Sequence, residues 1–468
     1  MTNNKIFLSM AALAFVGAMT AGCSSDNLTA ETPQLPDTNN GTVTMKVTVS
    51  LDEHASTRAL TEAGVKTFEA GDKIAVIYKN TAGETVKAES AALQSIDLHD
   101  AQKTASFSVT LTNPKASTPV RYIYPAVMAK DVANDATITS DDATIDYTGL
   151  LNSQNGDLTT LGTNYDLAVY DGNLNGTNLP GSATLTNPLA ICGFTLTDGG
   201  SDITNTVNSL TVSDGTNSYA VTLTSALSTI YVAMKPTSGN IAFAASTTAP
   251  KTYFKTATGK TLAASKLYPI SVSMVELALG NVFCSDGSVY ESKGAAEGAS
   301  KTPVALICYL GNDAETNTTY RHGLALALSD ASTSAVWCSQ SSETCLAKQY
   351  NNKEDAQTDM AGIANTDALV GHATHTHAAA SVARNYNSGT HPIGTSAWFL
   401  PSGGQWKKMI YAAGGRTKLI TNVSLQSADY WLSTESGAAL TWRYATSDGF
   451  YRNGSKGISH YVRSALAF

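Results

Sequence analysis

Six aromatic and polar residues close to the C-terminal end of the sequence have the side chains that a sugar-binding surface needs. They are Trp442, Tyr444, Asp448, Tyr451, Arg452 and Asn453. Aromatic faces stack on sugar rings, while carboxylate, guanidinium and amide groups hydrogen-bond to hydroxyls. The group is our candidate ligand-binding surface for a glycan or a host surface ligand. The alternative is a strand pair with an ordinary hairpin, because surface loops vary freely.

Three histidines, His372, His375 and His377, follow one another at short spacing. Imidazole is a common metal ligand, and His372 and His375 would share one face of a helix. The intervening threonines make a helix doubtful, and neither a cysteine nor an acidic residue stands beside them at ligand spacing. A polar loop or helix start is the favoured interpretation, so we expect no metal site and no cofactor.

The cysteines permit disulfides but do not define their pairing. Cys338 and Cys345 are seven residues apart and could close a small loop, and Cys284 and Cys308 could form a second bridge. Cys192 lies in an apolar strand-like run and is expected to be buried and free. No Ser-His-Asp set or pair of carboxylates at a recognisable motif indicates catalysis, so we do not expect an enzyme.

A possible cleavage site follows the first strand-like segment. Apolar side chains alternate from Val43 to Leu51, which predicts a strand with one face on a core. The polar stretch after it ends at Arg58, and a trypsin-like protease could cut between Arg58 and Ala59 if the loop is exposed. A cut would detach a core strand and leave an open groove. The alternative is a first strand followed by an uncut loop.

The N-terminal residues have the pattern of an export signal. Lys5 precedes an apolar run from Ile6 to Met19, and small residues lead to Cys23. The Ala-Gly-Cys ending resembles a bacterial lipobox, which implies cleavage after Gly22 and lipid attachment to Cys23. We therefore predict a signal peptide at 1–22 and a flexible tether at 23–41. The alternative is an ordinary secretory peptide.

Composition excludes some partners and favours β-structure. The chain has 468 residues, a net charge of -8 and 15% charged residues, without a basic run, which argues against binding to nucleic acid. After residue 22 no apolar run is long enough to cross a membrane. Short strand-like runs between turn residues predict a mostly β chain with two antiparallel β-sandwich domains, at 42–165 and 166–277.

Several motifs between residues 42 and 277 resemble the fimbrillin family, whose members are lipoprotein precursors of type V pili. The motifs are Thr57-Arg58-Ala59, Phe68 with Gly71-Asp72, Tyr122 to Pro125, Asn187 to Ala190, Tyr231 to Pro236 and Lys266 to Val272. The resemblance implies transthyretin-like sandwiches. It also implies that an arginine-specific protease removes the first strand, so that the groove can accept a strand from another pilus subunit.

The residues from about 279 to 468 differ in composition from those before them. They contain all five tryptophans and four of the six cysteines. Ser402 and Gln405 form a predicted capping box, and Gly414-Gly415 is expected to end the helix that starts there. Asn365 or Thr366 could cap another helix, and a further helix is predicted from Ala378 to Tyr386.

This region resembles a C-type-lectin-like domain, an α+β fold. The resemblance depends on Ser285 to Gly287, His322 to Leu328, Asn365-Thr366, Trp398 to Ser402, Tyr430 to Glu435 and Val462-Arg463. It implies that Trp398, Trp406 and Trp431 are core residues and that the first and last strands of the domain pair. The calcium-dependent sugar motifs are absent from the sequence, as are the late cysteines of the formylglycine-generating enzyme.

Together these features predict a cell-surface pilus subunit that is exported as an outer-membrane lipoprotein precursor. The expected partners are other pilus subunits through donor-strand exchange, and the membrane through the lipid on Cys23. Because a folded domain occupies the C-terminal region, we expect a tip adhesin that accepts a strand but does not donate one. The alternative is an uncleaved surface lipoprotein that binds glycan or host protein.

Overall fold

The computed structural model describes residues 41–51, 67–165, 167–340 and 342–468, and it is mostly β, as predicted. Cys23, Arg58 and Ala59 lie outside these residues, so their predicted roles stay predictions. Within the described ranges, no helix combines the length and the apolar character that a membrane span requires.

The first unit consists of two four-stranded sheets that face each other across one core. Its strands are β1 Thr42–Leu51, β2 Ala75–Lys79, β3 Thr85–Glu89, β4 Leu98–His99, β5 Thr104–Thr112, β6 Pro119–Tyr124, β7 Ala168–Asn173 and β8 Ser182–Leu185. The sheets have the orders β4-β5-β1-β8 and β3-β2-β6-β7. This is a sandwich architecture, although β1 and β8 run parallel rather than antiparallel.

The strand pairing moves the predicted boundary at 165/166. β7 pairs with β6 and β8 pairs with β1, so the first sandwich continues to Leu185. Between β6 and β7 lie α1 Asp141–Thr144, α2 Thr148–Asn152 and α3 Leu158–Asn164. These helices contribute Tyr147, Leu150 and Leu161 to the core of the second unit instead. The chain therefore crosses between the units and returns, which local sequence patterns cannot reveal.

The second unit is built from an eight-stranded sheet. Its strands are β9 Ala190–Asp198, β10 Ser201–Asp202, β11 Val207–Ser213, β12 Ser218–Thr222, β13 Ile230–Met234, β14 Thr237–Thr247, β15 Thr252–Leu262 and β16 Lys266–Glu276. The order is β10-β9-β16-β15-β14-β11-β12, and β13 pairs with β9 outside this path. Phe194 of β9 and Phe243 of β14 meet edge to face at 5.2 Å, so distant strands of this sheet share one core.

The C-terminal unit combines two five-stranded sheets with helices. Its elements are β17 Val282–Cys284, β18 Val289–Tyr290, α4 Lys293–Gly298, β19 Pro303–Leu310, β20 Gly323–Ala327, β21 Ser332–Val336, α5 Lys353–Ala356, α6 Gly362–Val370, α7 Ala378–Arg384, α8 Gly403–Ala412, α9 Arg416–Val423, β22 Asp429–Glu435, β23 Leu440–Ala445, β24 Tyr451–Ser455, β25 Ser459–Val462 and β26 Ala465–Ala467. The sheet orders are β18-β17-β19-β20-β26 and β21-β25-β22-β23-β24.

Several local predictions for this unit are confirmed. Trp398, Trp406 and Trp431 are buried, and Ser402 with Gln405 forms the capping box at the start of α8. Two expectations differ from the structure. Thr366 lies inside α6 rather than at its start, because its hydroxyl donates to the carbonyl of Gly362 within the helix. The first and last strands of the unit share a sheet, but β19 and β20 lie between them.

An aromatic cluster and a buried histidine join the second unit to the C-terminal unit. Phe254 packs edge to face on Phe283 at 5.0 Å, and Phe283 packs on Phe468 at 5.0 Å. His322 is fully buried, with its Nδ1 2.7 Å from the Ser246 hydroxyl and its Nε2 3.1 Å from the Thr211 hydroxyl. Burial, aided by the positive charge of Arg321, lowers the pKa of His322 from 6.5 to about 3.

We expect acid to weaken the packing between these two units. Folded protein keeps His322 neutral, whereas the unfolded chain takes up a proton below pH 6.5, so this contribution is complete above pH 6.5 and is lost toward pH 3. At a pH of about 4.5 the loss is on the order of 2–3 kcal/mol. Urea unfolding at about pH 7 and about pH 4.5, followed by tryptophan fluorescence, measures it, since every tryptophan lies in the C-terminal unit.

The matched variants separate His322 from the other histidines. His322→Asn should show a smaller loss of unfolding free energy between the two pH values than the unsubstituted protein. His99→Asn, at an exposed position of β4, should retain the full loss. Equal pH dependence in the two variants would contradict the assignment.

Candidate functional site

β1 is an interior strand rather than an edge strand of the first sandwich. It pairs antiparallel with β5, from Thr42 opposite Thr112 to Ser50 opposite Thr104. On its other side it runs parallel to β8, from Thr48 opposite Ser182 to Leu51 opposite Leu185. β1 is therefore paired with β5 along most of its length and with β8 over its C-terminal part, and its loss would expose the facing edges of β5 and β8.

The side chains of β1 alternate between core and solvent. Val43, Val47, Val49 and Leu51 are buried, whereas Thr44, Lys46 and Thr48 are exposed. Burial of one such apolar side chain contributes about 1.5–3 kcal/mol, an upper bound for a real unfolded chain. Any strand that replaced β1 would have to supply the same alternation in the same register, because a shift by one residue would turn its apolar side chains to solvent.

The structure divides the predicted ligand-binding residues between core and surface. Trp442 and Tyr444 are 4% and 3% exposed, and the Trp442 indole donates to the carbonyl of Tyr350 at 2.7 Å. A buried indole without a free face cannot stack on a ligand, so Trp442 is corrected to a core residue. Asp448, Arg452 and Asn453 lie at the surface on the β23–β24 hairpin, where Arg452 forms an ion pair with Asp448.

A surface cavity of about 980 Å³ begins beside this hairpin. Its walls come from α8, the segment after α5, β19 and the β23–β24 hairpin. The lining residues are Tyr309, Gln357, Thr358, Met360, Gly404, Lys407, Lys408, Ile410, Tyr411, Gly414, Gly415, Tyr444, Gly449 and Tyr451. Two predicted ligand residues, Tyr444 and Tyr451, thus line a concave aromatic wall instead of a flat surface. The cavity is our candidate ligand site.

Helix α8 positions most of the cavity wall. Its capping box fixes the first turn, and Gly404 allows close packing, because a Cβ there would lie 2.4 Å from the carbonyl oxygen of Asp359. Tyr411, near the C-terminal end of α8, is 87% exposed. An exposed phenol ring that no packing requires is a suitable stacking surface for a sugar.

Hydrogen bonds and ion pairs also link α8 to the neighbouring parts of the cavity wall. Lys408 forms an ion pair with Asp313 and lies 4.9 Å from the ring centroid of Tyr309. The Tyr451 hydroxyl donates to the carbonyl of Gly403 at 3.1 Å. Burial raises the pKa values of Tyr309, Tyr444 and Tyr451, so all three phenols are neutral at ordinary pH. The cavity thus offers neutral aromatic rings beside lysine ammonium groups.

The predicted disulfide residues lie close together as free thiols. Cys338 and Cys345 are both unbridged, as are Cys192, Cys284 and Cys308. The predicted bridge between Cys338 and Cys345 stays a prediction. His372 and His375 lie in a loop between α6 and α7, and His377 immediately precedes α7. A helix face shared by His372 and His375 is therefore not formed.

Sequence patterns missed most of the cavity. Its lining residues are spread from Tyr309 to Tyr451, and Tyr411 is a single aromatic residue at the end of an amphipathic helix. The only usable signal was the Gly-rich turn at Gly414-Gly415 beside Tyr411, which marks the end of the helix rather than a site.

Comparison with known proteins finds solved structures of bacterial surface proteins. A fimbrial protein from Bacteroides ovatus is 15% identical, with 92% of this chain and 100% of that chain covered and a TM-score of 0.33. The tip fimbrial protein Mfa3 from Porphyromonas gingivalis, solved with a C-terminal truncation, is 10% identical over 50% of this chain and 98% of that chain, with a TM-score of 0.25.

A fimbrial assembly protein from Parabacteroides distasonis is 11% identical, with 49% of this chain and 90% of that chain covered and a TM-score of 0.26. No protein-family model and no curated protein matches the chain. At these identities and TM-scores the similarity leaves the family of the chain open.

We expect Tyr411→Ala to reduce binding of the protein to a glycan array by about two- to tenfold, the value of one aromatic stacking contact. Stability should not change, because the Tyr411 ring is exposed. Ile96→Ala, at a similarly exposed residue of the first sandwich, is the matched control. Unchanged glycan binding by Tyr411→Ala, or the same loss in both variants, would remove the cavity as the ligand site.

Proposed function

We propose that the protein is a cell-surface pilus subunit assembled by strand exchange, with a structural rather than an enzymatic role. The observation that carries this proposal is the interior position of β1. A first strand that is hydrogen-bonded on both edges and buries four apolar side chains leaves a complete receptor groove when it is removed.

Removal of β1 would leave unpaired backbone groups along β5 and β8 and uncover apolar side chains such as Phe107 and Val109. Both features are costly in water, so the groove would favour a replacement strand. A strand from a neighbouring subunit would restore the ladder and the core together. Joints of this kind suit a fibre that must resist pulling forces.

The packing of β26 supports a proposed position at the tip. β26 pairs with β20, and Phe468 packs against Phe254 and Phe283 in the core between the units. This segment could leave only by opening that core, so it is a poor donor strand for the next subunit. We propose that the subunit accepts a strand, does not donate this one, and presents the cavity beside Tyr411 to a glycan or host surface ligand.

The path to the surface rests on the N-terminal sequence. In this proposal Cys23 carries a lipid that holds the precursor at the outer membrane, and cleavage between Arg58 and Ala59 releases β1 and the tether. The product then joins the fimbrium on the cell surface.

The second candidate is a surface lipoprotein that is never cut. Its support is the completed sandwich itself, because β1 already satisfies both neighbouring strands and the core. Such a protein would keep its lipid and would use the same cavity to bind a surface ligand.

The N-terminal sequence of protein from sheared surface fibres distinguishes the two candidates. We expect it to begin at Ala59, because assembly requires the release of β1. Protein that remains with the membrane and has a blocked, lipid-bearing N-terminus at Cys23 would contradict the pilus proposal and support the second candidate.

A peptide-binding experiment tests the groove directly. A chain that begins at Ala59 should bind a synthetic peptide of residues 42–51, and a Val47→Asp or Val49→Asp change in the peptide should weaken binding by about tenfold or more. The aspartate would have to be buried without a partner. Fluorescence anisotropy of the labelled peptide measures the affinity.

The matched control peptide carries Thr48→Asp between the two buried valines. Thr48 faces outward, so this peptide should bind about as well as the unmodified one. Similar affinities for all peptides would mean that the groove does not distinguish the buried positions of β1 from the exposed ones, and strand exchange would be rejected.

A further inference from the structure

Three potential metal ligands from separate segments of the C-terminal unit converge at one place. Cys338 follows β21, Cys345 lies in the next loop, and His377 immediately precedes α7. Their two sulfurs and one imidazole nitrogen all lie within 4.8 Å of one another. In the sequence, 32 positions separate Cys345 from His377, which is why the histidine run had no visible partner.

The buried imidazole of His377 has few hydrogen-bond partners among the described residues. His377 is 1% exposed, and its Nδ1 has no hydrogen-bond partner among the described residues. Within the described part of the chain, the polar contact of its Nε2 is to the Cys338 sulfur, at 3.9 Å. Buried polar atoms normally have a partner, so an imidazole placed in this way calls for an explanation beyond packing.

The neighbouring groups hold the three ligands in place. The Trp337 ring contacts the His377 ring edge to face at 5.4 Å, and the Trp337 indole donates to the carbonyl of Leu432 at 2.8 Å. The backbone N–H of Cys345 donates to the Glu435 carboxylate at 2.8 Å. Outer contacts of this kind fix the orientation of metal ligands.

The donor set matches a tetrahedral ion of the zinc type. With Zn–S near 2.3 Å and Zn–N near 2.1 Å, ligand atoms around one ion are about 3.6–3.8 Å apart. The 3.9 Å between the Cys338 sulfur and the His377 Nε2 is already close to that. Because no separation exceeds 4.8 Å, a contraction of at most about 1 Å suffices. Two thiolates and a neutral imidazole balance the charge of a divalent ion, leaving one position for water.

The charges next to the cluster are compatible with such an ion. The Lys456 ammonium lies 3.9 Å from the Cys345 sulfur and forms a fully buried ion pair with Glu435. A neutral ion–ligand set beside this neutral pair adds no net charge to the interior.

Two further histidines and a carboxylate lie beside His377. His372 packs edge to face on His377 at 5.1 Å and stacks on His375 at 5.1 Å. His375 pairs with the exposed Glu343. Imidazole and carboxylate groups at the rim can hold an ion during entry, before the thiols lose their protons.

We propose that Cys338, Cys345 and His377 form a binding site for a divalent transition ion of the zinc class, which fastens the loop after β21 to the start of α7. The competing use of the same sulfurs is the disulfide between Cys338 and Cys345 that the sequence permits. The two are exclusive, because a disulfide leaves neither thiolate free to ligate.

The test uses the full chain, reduced and kept anaerobic at neutral pH, with Co²⁺ as the probe. One Co²⁺ per chain should produce an intense near-ultraviolet thiolate-to-cobalt band and visible bands of tetrahedral cobalt, and Zn²⁺ should abolish both. His377→Asn and Cys345→Ser should each lower Co²⁺ affinity by at least about tenfold. Cys284→Ser, at a buried thiol beside Ser288, is the matched control and should bind like the unsubstituted protein.

A second readout keeps the test decisive if a variant is poorly folded. Zn²⁺ should raise the Tm of the unsubstituted protein and of Cys284→Ser, but not of His377→Asn or Cys345→Ser. The proposal is overturned if thiol counting finds a Cys338–Cys345 disulfide that persists under reductant. It is also overturned if the cobalt bands are absent, or if His377→Asn and Cys345→Ser bind Co²⁺ as tightly as the control.

Discussion

The first sandwich depends on the insertion of β1 between β5 and β8. That strand closes one of the two facing sheets and fills the core beneath it with Val47 and Val49. Because β1 pairs with both neighbours, its removal would open the sheet between β5 and β8. A sandwich built in this order is complete only while some strand, its own or another, occupies that position.

The sheet β3-β2-β6-β7, which faces β1 across the first core, also packs against the second unit. In β3-β2-β6-β7, Val76 and Tyr122 point into the first core, whereas Ile77 and Ile123 point into the second. Arg121 on the same sheet is 3% exposed and pairs with Asp141 of α1 and with Asp171 of β7. A guanidinium buried in this way requires both carboxylates, so it fixes the helices of the crossing segment to the sheet.

How far the sequence could predict this structure depends on the range of each interaction. Alternation predicted β1, and the Ser402–Gln405 capping box predicted the start of α8, because both signals are local. β15 was not predicted, since its side chains are mostly exposed after Phe254 and no alternation survives. The candidate cavity and the burial of Trp442 depend on packing between distant segments. The return of β7 and β8 to the first sandwich depends on strand pairing between distant segments. Local periodicity and turn residues could therefore predict none of these features.

The same difference in range explains why the residues with the most recognisable chemistry were the hardest to interpret. The histidine run looked isolated because its neighbours in space, Cys338 and Cys345, precede it by 27 residues or more. The aromatic and polar residues of the β23–β24 hairpin looked like one surface, but packing buries Trp442 and leaves Arg452 partly exposed. Period two predicts which side chains of a strand share a face, whereas only the packed partner decides which face is buried. In this chain the candidate site residues lie in loops and at the ends of elements, where residues far away in the sequence determine which side chains are buried.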